Sequence, residues 1–402
     1  MTGVRIVAFA YACEPEIGSE PGAGWMWARM LARLGETWVV TRENNRGAID
    51  AALPGIAERD RLHFEYVDLP AWARFWKRGL RGVHAYYVLW QIAALRRARA
   101  LNEEQRFDLS WHLTFANAWI GSAAALMGRR FVYGPIGGGV KTPWKLIPAL
   151  GVRGSLKELL RVTVRGAARY GNPLARLAWR RADLILVQNP ETREWLPKRH
   201  RAKAEVFPNA VLEGLDGRRS PRAAQGNVAL FAARLSPWKG GSLAVRVIAR
   251  LPEWTLVVAG SGPDAARLRR LAARLGVANR VHHFGHVLRA QVFELMNAEA
   301  DVLLFPSMHE DAGWVVAEAR ASGLPVISLD RGGPPLLGAV VATPGTVRQT
   351  VERLTTSVAS VTSKRDRAMP NFDFDARSLQ LRRTLIQREI VSAVSLTEVV
   401  LD

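Results

Sequence analysis

The sequence predicts an α/β protein built from two doubly wound, Rossmann-like parallel sheets. Short apolar segments alternate with helical stretches along the whole chain. Many of these segments are continuous hydrophobic runs, which are typical of parallel strands that helices cover on both faces. The chain has 402 residues. Because one core rarely serves more than about 300 residues, we expect two domains of roughly 200 residues each.

The predicted strands are short apolar runs bounded by polar or turn residues. In the first half they are residues 5–10, 37–41, 62–67, 109–113, 131–134 and 184–188. In the second half they are residues 228–232, 255–259, 281–284, 301–305 and 325–329. A polar, turn-rich stretch at 216–226 separates the two halves. We therefore predict an N-terminal domain over 1–210, a C-terminal domain over 226–370 and a C-terminal segment with a helix over 371–402.

The net charge is strongly positive. There are 56 basic and 36 acidic residues, which gives a formal charge of +20. Such a field favours anionic partners, namely nucleic acid, an anionic membrane surface or a phosphorylated substrate. The alternative is that arginine is simply used freely on solvated faces.

The compartment is indicated by the single cysteine and by the hydropathy. Cys13 alone excludes a disulfide framework and fits a reducing, cytoplasmic location. Residues 2–10 have the pattern of a buried strand and not of a secretory signal. No window of 18 uncharged apolar residues occurs, so we expect no transmembrane helix.

Two glutamates stand out in the segment 309–327. Gly313 can open a helix whose free N–H groups bind an anion such as a diphosphate. Glu310 precedes that helix and Glu318 lies about two turns inside it, and a carboxylate accepts hydrogen bonds from the paired hydroxyls of a sugar or a ribose. Two such acids alone are more simply explained as surface residues of an ordinary α/β unit.

The whole segment changes that interpretation, because it resembles the Glu-any-seven-Glu signature of retaining glycosyltransferase family four, within the glycosyl transferases group 1. The resemblance implies that Glu310 is catalytic and that Glu318, Ala312, Gly313 and Trp314 bind the nucleotide sugar.

The resemblance continues upstream in residues 231–240, where Arg234 and Lys239 lie five positions apart after a strand. In the family this pair grips the donor diphosphate, and two cations on a strand-end loop suit that task physically. Residues 257–265 and 281–287 are also similar, which implies that Gly262, His286 and Val287 lie beside the nucleotide.

One competing interpretation concerns residues 260–265, which fit the dinucleotide-binding fingerprint between a strand and a helix. A hydride-transfer enzyme would need an acid about 20 residues further on, at the end of the next strand. The next acid after Asp264 is Glu294, on a helix. A dehydrogenase is therefore disfavoured.

The first half offers fewer matches. The family usually has a glycine-rich loop after the first strand, and here Gly22 and Gly24 would allow close approach to a ligand. The alternative is a plain helix start at Glu20 and Pro21.

His112 ends a strand, and it is either a contact to the sugar or acceptor or a packed histidine. The histidine that many relatives carry after the following strand is absent. Residues 137–139 are three glycines there, so Gly138 offers a backbone N–H instead.

The resemblance implies a GT-B fold, with two domains facing a cleft and the C-terminal helix crossing back to the first domain. It implies hexose transfer from a UDP- or GDP-sugar with retention, by front-side attack, to a glycan or lipid-linked acceptor on the N-terminal side. It implies no metal and no further cofactor. The alternative is a GT-B binding subunit of a glycan assembly complex with lost turnover. An epimerase or phosphorylase of the same architecture lacks positive support.

Two basic regions predict a membrane-facing surface. Lys157, Arg161, Arg165 and Arg169 recur every four residues and form one stripe of a helix. Residues 72–90 interleave aromatic and basic residues. Both patterns suit an anionic bilayer at the inner membrane face, and no RNA-binding motif accompanies them. The alternative is a helix packed by its leucine face with its arginines in water.

Overall fold

A computed structural model of the chain describes residues 3–73, 82–214, 227–361 and 372–392. The basic part of the 72–90 stretch, at 74–81, and the boundary stretch 216–226 lie outside these residues. The described residues belong to two compact units. The first unit comprises Met1–Gly139, Ala167–Val211 and Phe372–Asp402, and the second comprises Val140–Gly166 and Leu212–Asn371.

The first unit contains a parallel sheet whose described strands number seven. The strands are β1 (Val4–Ala10), β2 (Gly35–Thr41), β3 (Leu62–Tyr66), β4 (Leu109–Thr114), β5 (Arg130–Ile136), β6 (Leu184–Val187) and β7 (Ala204–Val206). Their order is β3-β2-β1-β4-β5-β6-β7 and every pairing is parallel. The strand order therefore reverses between β1 and β4, as in a doubly wound sheet.

The second unit contains a parallel sheet with six described strands. They are β8 (Asn227–Ala232), β9 (Trp254–Ala259), β10 (Val281–Gly285), β11 (Val302–Phe305), β12 (Val326–Leu329) and β13 (Val340–Ala342). Their order is β10-β9-β8-β11-β12-β13, again with parallel pairing throughout. Here the order reverses between β8 and β11.

Ten of the described α-helices lie between strands, and the last two follow β13. The helices are α1 (Ser19–Ala32), α2 (Arg46–Ala52), α3 (Val83–Gln105), α4 (Gly151–Gly171), α5 (Pro173–Arg181), α6 (Pro190–Trp195), α7 (Gly241–Ile248), α8 (Ala265–Arg274), α9 (Arg289–Glu294), α10 (Trp314–Ala321), α11 (Val347–Ala359) and α12 (Phe374–Gln387). The prediction of two doubly wound parallel sheets is confirmed.

Residues 140–166 cluster with the second unit, although the sequence placed them in the first domain. The reason is packing. Leu146 and Leu150 lie fully inside the hydrophobic core of the second unit. The carbonyl oxygen of Ala149 also accepts hydrogen bonds of 3.0 Å from Ser242 Oγ and from Arg267 Nη1. This segment is thus held by both apolar and polar contacts.

The C-terminal helix α12 packs on the first unit. The ring of Phe374 lies beneath the guanidinium groups of Arg29 and Arg33, at 4.6 and 4.2 Å from its centroid. Arg33 also forms an ion pair with Asp375. The buried Arg377 lies 3.9 Å from the ring centroid of Phe207, and burial lowers its pKa to about 9. These contacts attach the end of the described chain to the C-terminal end of α1 and to the segment that follows β7.

Candidate functional site

The reversal of strand order between β8 and β11 marks the best place for a ligand in the second unit. Connections on the two sides of such a point leave in opposite directions, so a crevice opens at the carboxyl ends of the two strands. Residues 233–240 follow β8, and residues 306–313 follow β11. Most of the predicted site residues of this unit lie on these two loops or on the helix that comes next.

An ion pair joins the two loops. The Lys239 ammonium donates to a carboxylate oxygen of Glu310, and neither side chain is more than about a quarter exposed. Lys239 Nζ also lies 5.6 Å from the ring centroid of Phe305, at the end of β11. The structure thus brings two predicted site residues, 71 positions apart, into contact.

Backbone contacts fix the distance between the two loops. The Met308 N–H donates to the carbonyl oxygen of Trp238 at 2.7 Å. A Cβ on Gly240 would lie 2.0 Å from the carbonyl oxygen of Pro306. Because no larger residue fits at position 240, the glycine allows the lysine loop to lie directly against the glutamate loop.

Arg234 is exposed at the start of the loop after β8, five positions before Lys239. The same loop is tied to the one after β9, since the Leu235 N–H donates to the carbonyl oxygen of Ser261 at 2.8 Å. A Cβ on Gly262 would lie 2.3 Å from the carbonyl oxygen of Leu235. Gly262 therefore serves this close approach of two loops.

Helix α10 begins at Trp314, after Gly313 in the left-handed conformation with φ of 92°. No side-chain hydrogen bond caps this end, and within the first turn the Val316 N–H donates to the Gly313 carbonyl oxygen at 2.8 Å. Ala312 is half-buried and Trp314 is buried beside Gly313. The predicted helix start is thus present, and its positive end adjoins the Glu310 loop.

Glu318 is buried two turns into α10 and has a partner that the sequence did not indicate. Arg289 Nε donates to Glu318 Oε1 at 2.8 Å. Burial raises the pKa of Glu318 above its usual value, and the Arg289 charge opposes this effect only in part. Arg289 begins α9, two residues after Val287 and three after His286, so it connects the predicted base-contacting segment to Glu318.

A partly buried charged cluster supports the glutamate loop from behind. It consists of Glu158, Arg161 and Arg165 on α4, together with His309 and Asp311 on either side of Glu310. Arg161 forms an ion pair with Glu158 and donates to Thr142 Oγ1 at 3.3 Å.

The pKa values in this cluster follow from burial and charge. Burial and the neighbouring Arg161 and Arg165 lower the pKa of His309 well below its usual value, so the ring is neutral. Burial also lowers the pKa of Arg165, while the Asp311 carboxylate opposes that change. Arg165 is 3% exposed and donates to the Val140 carbonyl oxygen at 2.7 Å.

This cluster corrects the prediction of an exposed basic stripe. Arg165 is buried, and Arg161 is half-buried against Glu158, so these two arginines point to the protein interior. Of the four stripe residues only Lys157 is exposed, since Arg169 is half-buried near Trp195. The stripe formed by Lys157, Arg161, Arg165 and Arg169 therefore does not exist as a solvent-facing surface.

The turn after β12 supports Glu310 through its backbone. Gly332 has φ of 65°, and a Cβ there would lie 1.8 Å from the carbonyl oxygen of Glu310. The Gly333 N–H donates to the same oxygen at 3.2 Å. The position of Glu310 thus depends on a glycine from a different strand connection.

His112 is buried in the core of the first unit. Its Nε2 is 2.8 Å from the Tyr87 hydroxyl, and its Nδ1 is 2.8 Å from the Ser122 hydroxyl. Burial lowers its pKa to about 3, so the ring is neutral. With both nitrogens engaged and 1% of the residue exposed, the structure favours the packed histidine over the sugar contact.

The three predicted glycines of the first unit lie at close contacts within that unit. A Cβ on Gly22 would lie 1.9 Å from the Ile17 carbonyl oxygen. A Cβ on Gly24 would lie 2.0 Å from the Ala12 carbonyl oxygen. Gly138 has φ of 96°, and its Cβ would lie 2.5 Å from Asn117 Oδ1. These contacts account for the glycines by packing, and their part in ligand binding remains a prediction.

Within the described ranges, no helix is long and apolar enough to cross a bilayer. In the same part of the chain, no group of three or more histidine, cysteine, aspartate and glutamate side chains is arranged to hold a metal ion.

The second unit contains a segment that is similar in sequence to a known family. Residues 216–338 match the sequence model of the family Glycosyl transferases group 1. A D-inositol 3-phosphate glycosyltransferase of Mycobacterium leprae is 34% identical over 173 residues, which are 39% of this chain and 40% of that protein. The protein of the same description from Streptomyces bingchenggensis is 32% identical over 180 residues, 39% of each chain. This chain thus matches about two fifths of the length of these curated relatives.

Comparison with solved structures bears on the whole fold. Anabaena Alr3699/HepE, solved in complex with UDP, superposes with a TM-score of 0.63 at 18% identity, over 96% of this chain and all of that chain. Sucrose-phosphate synthase (tll1590) from Thermosynechococcus elongatus gives 0.63 at 17% identity, over 97% of this chain and 100% of that one. Residues 216–338 thus resemble the group 1 glycosyltransferases in sequence, and the chain shares the GT-B fold of these two structures.

Proposed function

We propose that the chain is a retaining glycosyltransferase that moves a hexose-type sugar from a UDP- or GDP-sugar to a glycan or lipid-linked acceptor, in polysaccharide or glycolipid biosynthesis. One observation carries the proposal. The Lys239–Glu310 ion pair joins the two loops at the point where the strand order of the second sheet reverses. Ligands of open α/β sheets bind at such points.

The donor would be bound in three parts. Arg234 and Lys239 supply positive charge for the diphosphate, together with the positive end of the α10 helix dipole. Glu318 accepts hydrogen bonds from the ribose hydroxyls, and the segment at His286 and Val287 lies along the base. The complex of Alr3699/HepE with UDP-glucose, at 18% identity, supports a nucleotide sugar as the ligand of this fold.

The ion pair gives Lys239 and Glu310 a part in binding. When the diphosphate arrives, its negative charge competes with Glu310 for the Lys239 ammonium. Glu310 is then released to accept a hydrogen bond from a hydroxyl of the transferred sugar. The two residues are therefore arranged to bind the donor together. Before the donor binds, each neutralises the charge of the other.

The proposed reaction is a front-side displacement. The bond between the anomeric carbon and the donor phosphate oxygen breaks, and the acceptor oxygen bonds to that carbon on the same face. The proton of the acceptor hydroxyl passes to the departing diphosphate. Arg234 and Lys239 stabilise the charge that develops there, which is an electrostatic contribution to catalysis. We propose that no divalent cation takes part, so EDTA leaves the rate unchanged.

The location of the protein and its acceptor-side partners are also proposals. We place the protein in the cytoplasm, peripherally at the inner face of the membrane, where a lipid-linked acceptor would be available. A nucleic acid is not among the proposed partners. The first unit would hold the acceptor, and the second unit, which includes residues 140–166, would hold the donor.

Thermal-shift screening tests donor binding directly. UDP, GDP and ADP, and then the corresponding sugars, are added to the full chain. A ligand that binds only the folded protein at 100 times its dissociation constant stabilises it by about 2.7 kcal/mol, so the melting temperature rises. Hydrolysis of the selected nucleotide sugar then separates an enzyme from a GT-B binding subunit without turnover. No shift with any nucleotide would overturn the proposal.

A further inference from the structure

The outer face of α4 is apolar and exposed to solvent. Four residues share this face and have exposed fractions between 64 and 88%: Val152, Leu156, Leu159 and Leu160. Val164 continues it one turn later and is 45% exposed. Val152, Leu156, Leu160 and Val164 are spaced by four residues and Leu159 lies three after Leu156, so the five form one continuous stripe of the helix.

The opposite face of α4 explains why the apolar stripe is outside. Glu158, Arg161 and Arg165 face inward and belong to the partly buried charged cluster behind the glutamate loop. A helix that packs through its charged face must present its other face outward. Soluble proteins rarely expose a contiguous row of large apolar side chains unless it contacts a partner or a membrane.

The charges around the stripe indicate the kind of partner. Arg153 and Lys157 are exposed on α4 and flank the apolar stripe at helical spacing. Just before the helix, Lys145 is exposed next to Trp144, which is 74% exposed. Residues 140–171 contain a single acid, Glu158, and it is buried. The exposed part of this segment is therefore apolar and cationic, without a compensating negative charge.

We propose that the apolar face of α4, formed by Val152, Leu156, Leu159, Leu160 and Val164, inserts into the headgroup region of an anionic lipid bilayer. Arg153 and Lys157 contact the lipid phosphates at its flank. A helix with one apolar face, basic residues beside it and a nearby tryptophan has the composition of an interfacial helix. The inference rests on the peripheral membrane location proposed above. In it the apolar face of α4, and not the basic stripe, attaches the protein to the membrane.

Vesicle co-sedimentation of the full chain tests this. The wild type is mixed with vesicles of phosphatidylcholine alone and with vesicles that also contain phosphatidylglycerol. The test variant carries Leu156→Gln, Leu159→Gln and Leu160→Gln, which keep a good helix former at each position. The matched control carries Leu275→Gln, Val340→Gln and Leu379→Gln, three exposed apolar residues on other elements.

We expect the wild type and the control to bind the phosphatidylglycerol vesicles alike. The α4 variant should lose at least about tenfold in partitioning, because three large apolar side chains no longer enter the bilayer. Arg153→Gln with Lys157→Gln should weaken binding to the anionic vesicles and reduce its dependence on salt. The melting temperature of the α4 variant should match that of the wild type, since the three side chains are exposed.

Three results would overturn the proposal. The first is no vesicle binding by the wild type, and the second is equal binding by the α4 variant. The third is a dimer of the wild type that the α4 variant abolishes while vesicles remain unbound, because the face would then belong to a second copy of the chain. UDP binding measured in solution should be the same in both proteins, so failure of the anchor is distinguishable from failure of the proposed enzyme activity.

Discussion

Glu310 and Glu318 differ in their surroundings, although both lie in the same short segment. Glu310 pairs with Lys239 on a neighbouring loop, whereas Glu318 is buried beside Arg289. We predict that Glu318→Gln weakens UDP binding and that Glu310→Gln mainly lowers turnover. Loss of a charge-assisted hydrogen bond costs about 1.5–3 kcal/mol, or roughly ten- to a hundredfold. Isothermal titration with UDP and initial rates of transfer measure the two effects separately, and the reverse pattern would exchange the assigned roles.

We predict that His112 stabilises the fold and does not take part in transfer. His112→Ala leaves the buried Tyr87 and Ser122 hydroxyls without their imidazole partner, and each unsatisfied group costs about 1–3 kcal/mol. The melting temperature should fall, and transfer well below that temperature should persist. Tyr87→Phe removes one of the same hydrogen bonds and is the matched control. A large loss of transfer at an unchanged melting temperature would instead support the sugar contact.

Local sequence could identify the charged residues of the site but not their partners. Arg234, Lys239, Glu310 and Glu318 lie within short motifs, so their chemistry is visible from the sequence alone. Arg289 is 29 positions from Glu318, and only the fold brings them together. The same holds for α4, whose contacts with the loop around His309 depend on tertiary packing.

At the scale of elements, the turn after β12 positions the glutamate loop. We predict that Gly332→Ala strongly reduces transfer, because its Cβ would lie 1.8 Å from the Glu310 carbonyl oxygen and must displace that loop. Gly276→Ala is the matched control. Gly276 has a similar φ of 70° but open space around it, so it shares the backbone strain without the collision.

Both variants should lose about 1 kcal/mol or more of stability from the strained backbone. Initial rates of transfer, measured below the melting temperature of each protein, distinguish them. Equal rates in Gly332→Ala and Gly276→Ala would show that the turn does not position Glu310.

Helix α4 shows that hydrophobic periodicity alone does not predict which face of a helix is buried. The sequence correctly indicates two chemically different faces, but it does not say which of them is buried. Arginine at the inner face is stabilised here by Glu158, by Asp311 and by the Val140 carbonyl oxygen. The strands β7 and β13 were missed for a simpler reason, since three residues at a sheet edge carry too little pattern.

At the scale of the whole molecule, we predict that stability falls as the pH falls from 7.5 to 5.5. Burial lowers the pKa of His309 in the second unit well below its usual value, and lowers that of His112 in the first unit to about 3. Both rings stay neutral in the folded state, whereas the unfolded chain takes up protons below about pH 6.5. Each histidine then costs about 1.4 kcal/mol per pH unit below that value.

Melting curves at the two pH values check this prediction. Glu318 acts in the opposite direction, because its raised pKa favours the folded state as the pH falls, but it is one group against at least two. The variant His309→Gln should show a smaller difference between the two pH values than the wild type. A melting temperature that is constant or higher at pH 5.5 would contradict the account.

The overall fold could be predicted from the sequence because the pattern of an apolar strand followed by a helix repeats along the chain. Every strand predicted from an apolar run is present, and continuous apolar strands between helices are specific to covered parallel sheets. The division into units was less accessible. Leu146 and Leu150 look like any apolar pair in the sequence, and only packing assigns them to the second core.

The central claim is that Arg234 and Lys239 bind the diphosphate of a nucleotide sugar. The most direct measurement is the affinity of the full chain for the nucleoside diphosphate selected by thermal shift, determined by isothermal titration. Arg234→Ala and Lys239→Ala should each weaken binding by about ten- to a hundredfold. Arg270→Ala, which removes an exposed arginine from α8, should leave it unchanged. Wild-type affinity in both loop variants would contradict the claim.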